Sequence, residues 1–310
     1  PERGERSFPR LGAALSTNFR KYRGHVVVAA AGIVVRVVAP LLGDKTRDPA
    51  VVVVDPEGRF AVSLISGHLG GANDLARAVA QVLCGAPVIT TGTDLAGKPA
   101  VELAAVELGL GIENFEALSG VSRAVLEGRP VPVHDPGGWF RPVLVQWPDS
   151  FRRLEGPPDP ADPWPLVFVG PEVQDFPASW LVVRPPCLAL GIGCNRGTGT
   201  PELEGLIKKV FGDLGLSRAS IGRVATLEAK GDEPGLRGLA EGLGLELTLF
   251  PAEELARVNV PNPSAVVKKH MGVTSVCEAA ALLAAPGGRL LAGKQKSRNA
   301  TLAVALIVSK

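Results

Sequence analysis

The residues best suited to chemistry lie in Ser63-Leu64-Ile65-Ser66-Gly67-His68-Leu69-Gly70-Gly71-Ala72-Asn73. Its glycines let the backbone turn tightly and present amide N–H groups at a helix start, an arrangement that attracts anions. Ser66 adds a hydroxyl. His68 adds a side chain that titrates near neutral pH and suits general acid–base work. A glycine turn with Asn73 as helix cap explains the same residues without chemistry. Further on, Thr90-Thr91-Gly92-Thr93-Asp94 follows a short apolar segment. Asp94 is fit to orient a base or hold a substrate hydroxyl, and equally fit to cap a helix or turn. In open α/β sheets ligands bind outside the carboxyl ends of strands, so 66–71 and 90–94 are expected to face one crevice.

Five more polar clusters suit the recognition of anions. Gly43-Asp44-Lys45-Thr46-Arg47-Asp48-Pro49 offers Lys45 and Arg47 to carboxylates, or is a solvated loop. Gly191-Ile192-Gly193-Cys194-Asn195-Arg196-Gly197-Thr198 joins a strand to a helix. Three residues separate its second and third glycines, so it is not the dinucleotide fingerprint, and no Gly-Lys-Ser/Thr follows. Its amides, with Asn195 and Arg196, still suit an anion, and Cys194 reads as a packing residue. Lys294-Gln295-Lys296-Ser297-Arg298-Asn299 reads as a basic loop before a closing strand, beside Lys268-Lys269-His270 and the pair Lys230 and Glu233. Each alone also fits a solvated face.

Other chemistries find no support. There is no Gly-x-Ser-x-Gly elbow, and no His-x-x-x-His pair among four histidines, so neither a conventional serine hydrolase nor a protein-held metal is expected. Cys84, Cys187, Cys194 and Cys277 form no Cys-x-x-Cys pair, which fits reduced thiols in the cytoplasm.

The elements that must position these residues alternate. Val26–Ala30, Val51–Val54 and Phe60–Leu64 read as strands, the last two forming a hairpin across Asp55-Pro56-Glu57-Gly58. Leu75, Ala76, Val79, Ala80 and Leu83 fall on one face of a helix over 72–83. A short strand over 87–91 and a helix near 99–108 follow. From Cys187 the alternation resumes: strands over 188–192, 221–227, 245–250 and 300–308, and helices near 201–211, 234–243, 264–270 and 275–284. Between them, nine prolines fall in 134–171 and every tryptophan lies between 139 and 180, which predicts a small irregular β module or a wrapped linker. The expectation is therefore an α/β chain: two α/β domains with largely parallel sheets, over 1–133 and 187–310, joined by a Pro/Trp-rich middle region over 134–186.

With 310 residues, 46% hydrophobic and 21% charged, the chain has the composition of an ordered globular protein of about two domains. Its net charge of +2 gives no global field for nucleic acid. No apolar run approaches the roughly 20 residues of a membrane helix, and Pro1–Arg10 lacks the apolar core of a signal peptide.

The run DKTRDPAVVVVDPEGRFAVSLISGHLGGANDLARAVA, then PVITTGTD, resembles the N-terminal part of the cobalt-precorrin-5A hydrolase family, the cobalamin biosynthesis protein G of the anaerobic pathway. AAAGIVVRVVAPLL, ALGIGCNRGT, the segment with Lys230, Asp232 and Glu233, PSAVVKKHMGVTSVCEAAALL and KQKSRNATLAVA resemble the same family in the same order. The likeness runs from about Gly24 to the end and is weakest across 134–186. Two departures stand out. Family members open with another strand and helix, so the first sheet is expected to lack an edge strand here. Gly92 stands where the family has Ala.

The resemblance implies hydrolysis of the δ-lactone of cobalt-precorrin-5A, with the C20 carbon and its methyl leaving as acetaldehyde to give cobalt-precorrin-5B. On that reading His68 is the base, Asp94 orients it, Ser66 assists, and loop amides near Gly70 and Gly71 serve the oxyanion. Carboxylates of the substrate would meet Lys45, Arg47, Gly67, Asn73, Thr90, Thr91, Asn195, Arg196, Lys230, Lys294 and Lys296. Cobalt arrives inside the substrate, and no cofactor is expected. The expected partners are this cobalt-corrinoid, other enzymes of the pathway and a second copy of the chain. A corrinoid-binding protein without turnover, or an enzyme acting on a phosphorylated substrate through the 66–71 loop, is the alternative.

Overall fold

The computed structural model describes residues 7–44, 47–262 and 275–309. The chain divides into two compact units, one reaching to Ala104 with Val125–Arg129, the other holding Ala105–Ala124 and everything from Pro130.

The first unit contains β1 (Gly24–Val28), β2 (Ala50–Val54), β3 (Phe60–Ile65) and β4 (Ala86–Val88), hydrogen-bonded in that order. β1 with β2 and β3 with β4 run parallel, while β2 and β3 form the expected antiparallel hairpin. Asp55 closes it: its carboxylate accepts from the amides of Glu57 at 3.1 Å and Phe60 at 2.6 Å. β2 is buried on both faces, which is why it reads as an unbroken valine run. Val51 and Val53 pack with Leu15 of α1 (Leu11–Asn18), with Phe19 just after it, and with Val34 and Val38 of α2 (Ala31–Val38). Val52 and Val54 face the other way, onto Ala72, Ala76 and Ala80 of α3 (Ala72–Leu83). Two short helices complete the site region, α4 (Gly92–Ala96) and α5 (Val101–Glu107).

The second unit holds two sheets. The Pro/Trp-rich region is more ordered than the sequence implies. β5 (Gly111–Ile112), β6 (Val131–His134), β7 (Phe151–Arg153), β8 (Leu166–Val169) and β9 (Trp180–Arg184) form a sheet in the order β5-β9-β8-β6-β7. All pairings but β5–β9 are parallel. Prolines lie mostly in the connections, where no ladder amide is needed. α6 (Leu118–Leu126) precedes β6, and α7 (Arg141–Gln146) links β6 to β7. Arg184, 1% exposed, ties this sheet down: it donates to Glu113 at 2.5 Å and to the carbonyls of Gly170 and Glu172 at 2.7 Å each.

The other sheet comprises β10 (Leu188–Cys194), β11 (Ile221–Leu227), β12 (Leu247–Phe250), β13 (Arg289–Lys296) and β14 (Ala300–Leu306), ordered β12-β11-β10-β14-β13. One face packs Leu188, Leu190 and Ile192 against Leu203, Ile207, Leu236 and Leu239 of α8 (Thr200–Leu214) and α9 (Pro234–Gly242). The opposite face is alanine-lined and seats α11 (Val276–Ala284), beyond α10 (Ala252–Ala256). The segment expected as a basic loop is different: Lys294 and Lys296 sit on β13, and only Ser297–Asn299 form the turn into β14. Alternating charges there mask the strand, because a partly exposed edge strand tolerates them. The helix expected near 264–270, with Lys268, Lys269 and His270, lies outside the described residues, as does Lys45. No helix among the described residues is long and apolar enough to cross a membrane.

Candidate active site

The loop after β3 is shaped by its own backbone. Ser66 adopts a left-handed conformation (φ 57°) and so does Gly71 (φ 81°). The Ser66 carbonyl accepts the Ala72 amide at 3.0 Å, the Gly67 carbonyl accepts the Asn73 amide at 3.0 Å, and the His68 carbonyl accepts the Gly71 amide at 2.8 Å. Gly71, not Asn73, occupies the cap position of α3. Gly70 has no room for a side chain, since a methyl group there would overlap Ser66.

That turn delivers the His68 ring between two carboxylates. Nδ1 lies 2.6 Å from Glu102 Oε1, and Nε2 lies 2.9 Å from Asp94 Oδ2 and 3.1 Å from Thr93 Oγ1. Asp94 sits in the first turn of α4 and is held from all sides. Its Oδ2 accepts from Asn73 Nδ2 at 2.9 Å and Thr91 Oγ1 at 2.8 Å, and its Oδ1 accepts from Arg77 Nη2 at 2.5 Å. Asn73, buried, also donates to Thr91 Oγ1 and accepts from Ser63 Oγ at 2.7 Å. The segments 66–71 and 90–94, expected to face one crevice, are joined in a contiguous hydrogen-bonded cluster, with Glu102 added.

The electrostatics follow from the contacts. The hydrogen bond to Glu102 is the main influence lifting His68 above the ordinary imidazole range; partial burial opposes it, and Asp94 reinforces it. For Asp94 burial works upward, but hydrogen bonds from Arg77, Thr91 and His68 prevail and hold it below the ordinary carboxylate range. Glu102 is 5% exposed, and its buried Oε2 has no hydrogen-bond partner among the described residues. Both ring nitrogens of His68 face acceptors, so the favoured form is the imidazolium, a proton donor. A resting base would need a free lone pair.

The remaining sequence candidates are placed as follows. Ser66 enters through its backbone. A side chain on Gly67 would collide with Asn73 and crowd Thr91, and the Gly71 amide is already engaged. Thr90 and Arg47 are exposed and outside the cluster. In the second unit Asn195 bonds Asn299 through its amide at 2.8 Å. Arg196 is 75% exposed, 3.7 Å from Asp232. Lys230 is largely buried and paired with Glu233 at 3.3 Å, and Glu233 also accepts the Gly197 amide at 2.9 Å. Glu202 ties the opposite side, accepting from Ser297 Oγ at 2.6 Å and the Asn299 amide at 2.7 Å. Lys230 is therefore part of an internal ion pair and not an open cation. Sequence reading missed Glu102, Arg77 and Glu202. Glu102 stands 34 positions from His68 and looks like an ordinary acid in a first helical turn. No metal-holding group of His, Cys, Asp and Glu occurs among the described residues.

Three family models match in series: Cobalamin synthesis G N-terminal over residues 13–94, Cobalamin biosynthesis central region over 99–185, and Cobalamin synthesis G C-terminus over 188–305. A cobalt-precorrin-5A hydrolase from Priestia megaterium is 36% identical over 302 residues, spanning 94% of this chain and 81% of that protein. The chain belongs to the cobalamin synthesis G family. A second cobalt-precorrin-5A hydrolase, from Salmonella typhimurium (strain LT2), is 32% identical and spans 92% of this chain and 82% of that protein. The crystal structure of CobE, a protein from the cobalamin (vitamin B12) biosynthetic pathway, is 36% identical, covers 40% of this chain and 92% of its own, and superposes with a TM-score of 0.37. The three matched regions of this cobalamin synthesis G chain coincide with its three sheets. His68 and Asp94 fall in the N-terminal region, Glu102 in the central one.

Proposed function

We propose that this chain is a cobalt-precorrin-5A hydrolase, which opens the δ-lactone of its corrinoid substrate and releases acetaldehyde. The observation that carries the reading is the His68 ring held between Asp94 and Glu102 in a chain 36% identical to a named hydrolase of this kind. Lactone opening needs a nucleophilic water, a proton for the departing oxygen and relief of the developing oxyanion charge. His68 begins as the donor. Its Nε2 proton passes from the Asp94 side to the leaving alkoxide, while Asp94, the more exposed carboxylate, takes the proton that the attacking water loses as its oxygen bonds the carbonyl carbon. The neutral ring then accepts the proton of the newly freed C20 hydroxyl. That step lets the carbon–carbon bond break, with its electron pair passing to the macrocycle as acetaldehyde departs. His68 thus serves as acid first and base second, which revises the simple base role. Cobalt belongs to the substrate, and no resident cofactor is assigned. Four unpaired cysteines fit a reducing, cytoplasmic setting.

The test is anaerobic incubation with cobalt-precorrin-5A, measuring acetaldehyde and the corrinoid product mass. Acetaldehyde in step with the lactone-opened product is the expected result, and His68→Ala should lower its rate at least about 100-fold. The closed hydrogen-bond network around His68 favours one rival, a corrinoid-binding protein without turnover. Tight binding with no acetaldehyde would establish it.

A further inference from the structure

Lactone opening needs a donor for its oxyanion, and a count of the protons around His68 identifies one. The Gly71 amide, expected in that role, donates instead to the His68 carbonyl at 2.8 Å. The Ala72 and Asn73 amides go to the Ser66 and Gly67 carbonyls at 3.0 Å each. Side-chain donors are spent in the same way. Asn73 gives its two amide protons to Thr91 Oγ1 and Asp94 Oδ2, at 2.9 Å each. The hydroxyls of Thr91 and Ser63 donate to Asp94 Oδ2 at 2.8 Å and to Asn73 Oδ1 at 2.7 Å. Arg77 holds Asp94 through Oδ1, whereas the ring bonds Oδ2.

Thr93 differs. Its Oγ1 lies 3.1 Å from His68 Nε2, its one side-chain hydrogen-bond contact among the described residues. Carboxylates face both ring nitrogens, Glu102 at Nδ1 and Asp94 at Nε2, so both nitrogens carry protons. Towards a protonated Nε2 a hydroxyl can only accept, which leaves its own O–H free to donate elsewhere. Thr93 is also fixed in place. It sits in the first turn of α4, is 5% exposed and β-branched, and its carbonyl accepts the Lys98 amide at 2.9 Å. A donor held in position before charge develops is the kind that stabilises an oxyanion. The two oxygens of a lactone share one carbon. Seating the departing ring oxygen on Nε2 therefore brings the carbonyl oxygen towards Thr93 Oγ1, the atom beside it.

We propose that Thr93 is a catalytic residue of the lactone opening, its hydroxyl donating to the carbonyl oxygen as that oxygen becomes an oxyanion. The inference rests on the hydrolase reading above. The water oxygen bonds the carbonyl carbon and its proton goes to Asp94, while the π pair moves onto the oxygen beside Thr93. When that pair returns, the ring C–O bond breaks and the departing oxygen takes the Nε2 proton. Thr93 keeps its own proton throughout and forms no covalent bond. The test compares Thr93→Val and Thr93→Ser with the unmodified chain over a pH series, reading acetaldehyde release from cobalt-precorrin-5A and the His68 ring nitrogen shifts. Thr93→Val, close to threonine in shape, should lower the plateau kcat about 100- to 1,000-fold with KM little changed. Thr93→Ser, which keeps the hydroxyl, should restore most of the rate. Thr93→Ala gives the same reading should the valine fail to fold. A Thr93→Val plateau equal to that of the unmodified chain, reached at a displaced pH with a displaced His68 titration, overturns the donor role and makes Thr93 a support for the ring's charge. A Thr93→Ser variant as slow as Thr93→Val overturns it too, and makes Thr93 a packing residue. A substrate-derived acyl group on Thr93 in the mass of a quenched reaction would make it a nucleophile instead. No acetaldehyde from the unmodified chain sinks the hydrolase reading itself. Normal release there, with undiminished release in Thr93→Val, sinks this inference alone.

Discussion

At the scale of single residues, His68 is defined by its two carboxylates. Replacing Glu102 by Gln keeps a hydrogen-bond acceptor and removes the charge that most stabilises the imidazolium. The His68 pKa should fall, as read from its ring carbon and nitrogen shifts against pH. An unchanged value would mean that Asp94 alone sets the ring's charge. The same contacts make stability depend on pH. A histidine whose folded pKa lies above its ordinary 6.5 binds its proton more tightly when folded. Its stabilising contribution is full below 6.5 and is lost as the pH rises through the raised value. The difference in urea midpoint between the chain and His68→Gln should therefore be largest at mildly acidic pH and shrink above neutrality. A difference that grows with pH would mean that the ring is held neutral. The histidine and Asp94 were legible because both sit at loop–helix junctions with glycine and threonine. Glu102 was not, because its partnership with His68 spans 34 positions and exists only after folding.

At the scale of elements, close approach of backbone to backbone replaces side-chain chemistry. β10 carries glycine at 191 because α11 lies directly on it: a methyl group there would overlap the Cys277 carbonyl oxygen and the Ala281 amide nitrogen. Neither backbone group can yield without moving the helix. Gly191→Ala should cost about 1–3 kcal/mol or more, measured by urea unfolding. An unchanged midpoint would show that α11 docks more loosely than its alanine-rich face implies. The helices and strands over 72–83, 221–227 and 234–243 were readable from apolar period alone. β13 was not: its Lys294 and Lys296 break the pattern, and only pairing with β14 makes it a strand.

At the scale of the whole molecule, protection from solvent is uneven. β2 and most of β10 are buried on both faces and flanked by strands on both sides. β1 and β12 are edges with exposed residues. Native-state hydrogen exchange should find the slowest amides at Val51–Val54 and Leu188–Ile192, and fast ones at β12. Exchange at β10 as fast as at β12 would show that its sheet opens from the centre. The middle region illustrates why composition misleads at this scale. Its prolines argue against helices and central ladders locally, yet they fall between short strands that pair across distant positions.

The sequence by itself determined the α/β class, the loop–helix junctions and the residues His68, Asp94 and Asn73, since local propensity, apolar period and glycine placement are written along the chain. Tertiary structure alone decided that Glu102 and Arg77 complete the cluster and that short strands spread over 111–184 pair into one largely parallel sheet. Those facts depend on contacts between residues far apart in sequence. Contacts of that kind set the charge of a titratable group more strongly than its neighbours along the chain do.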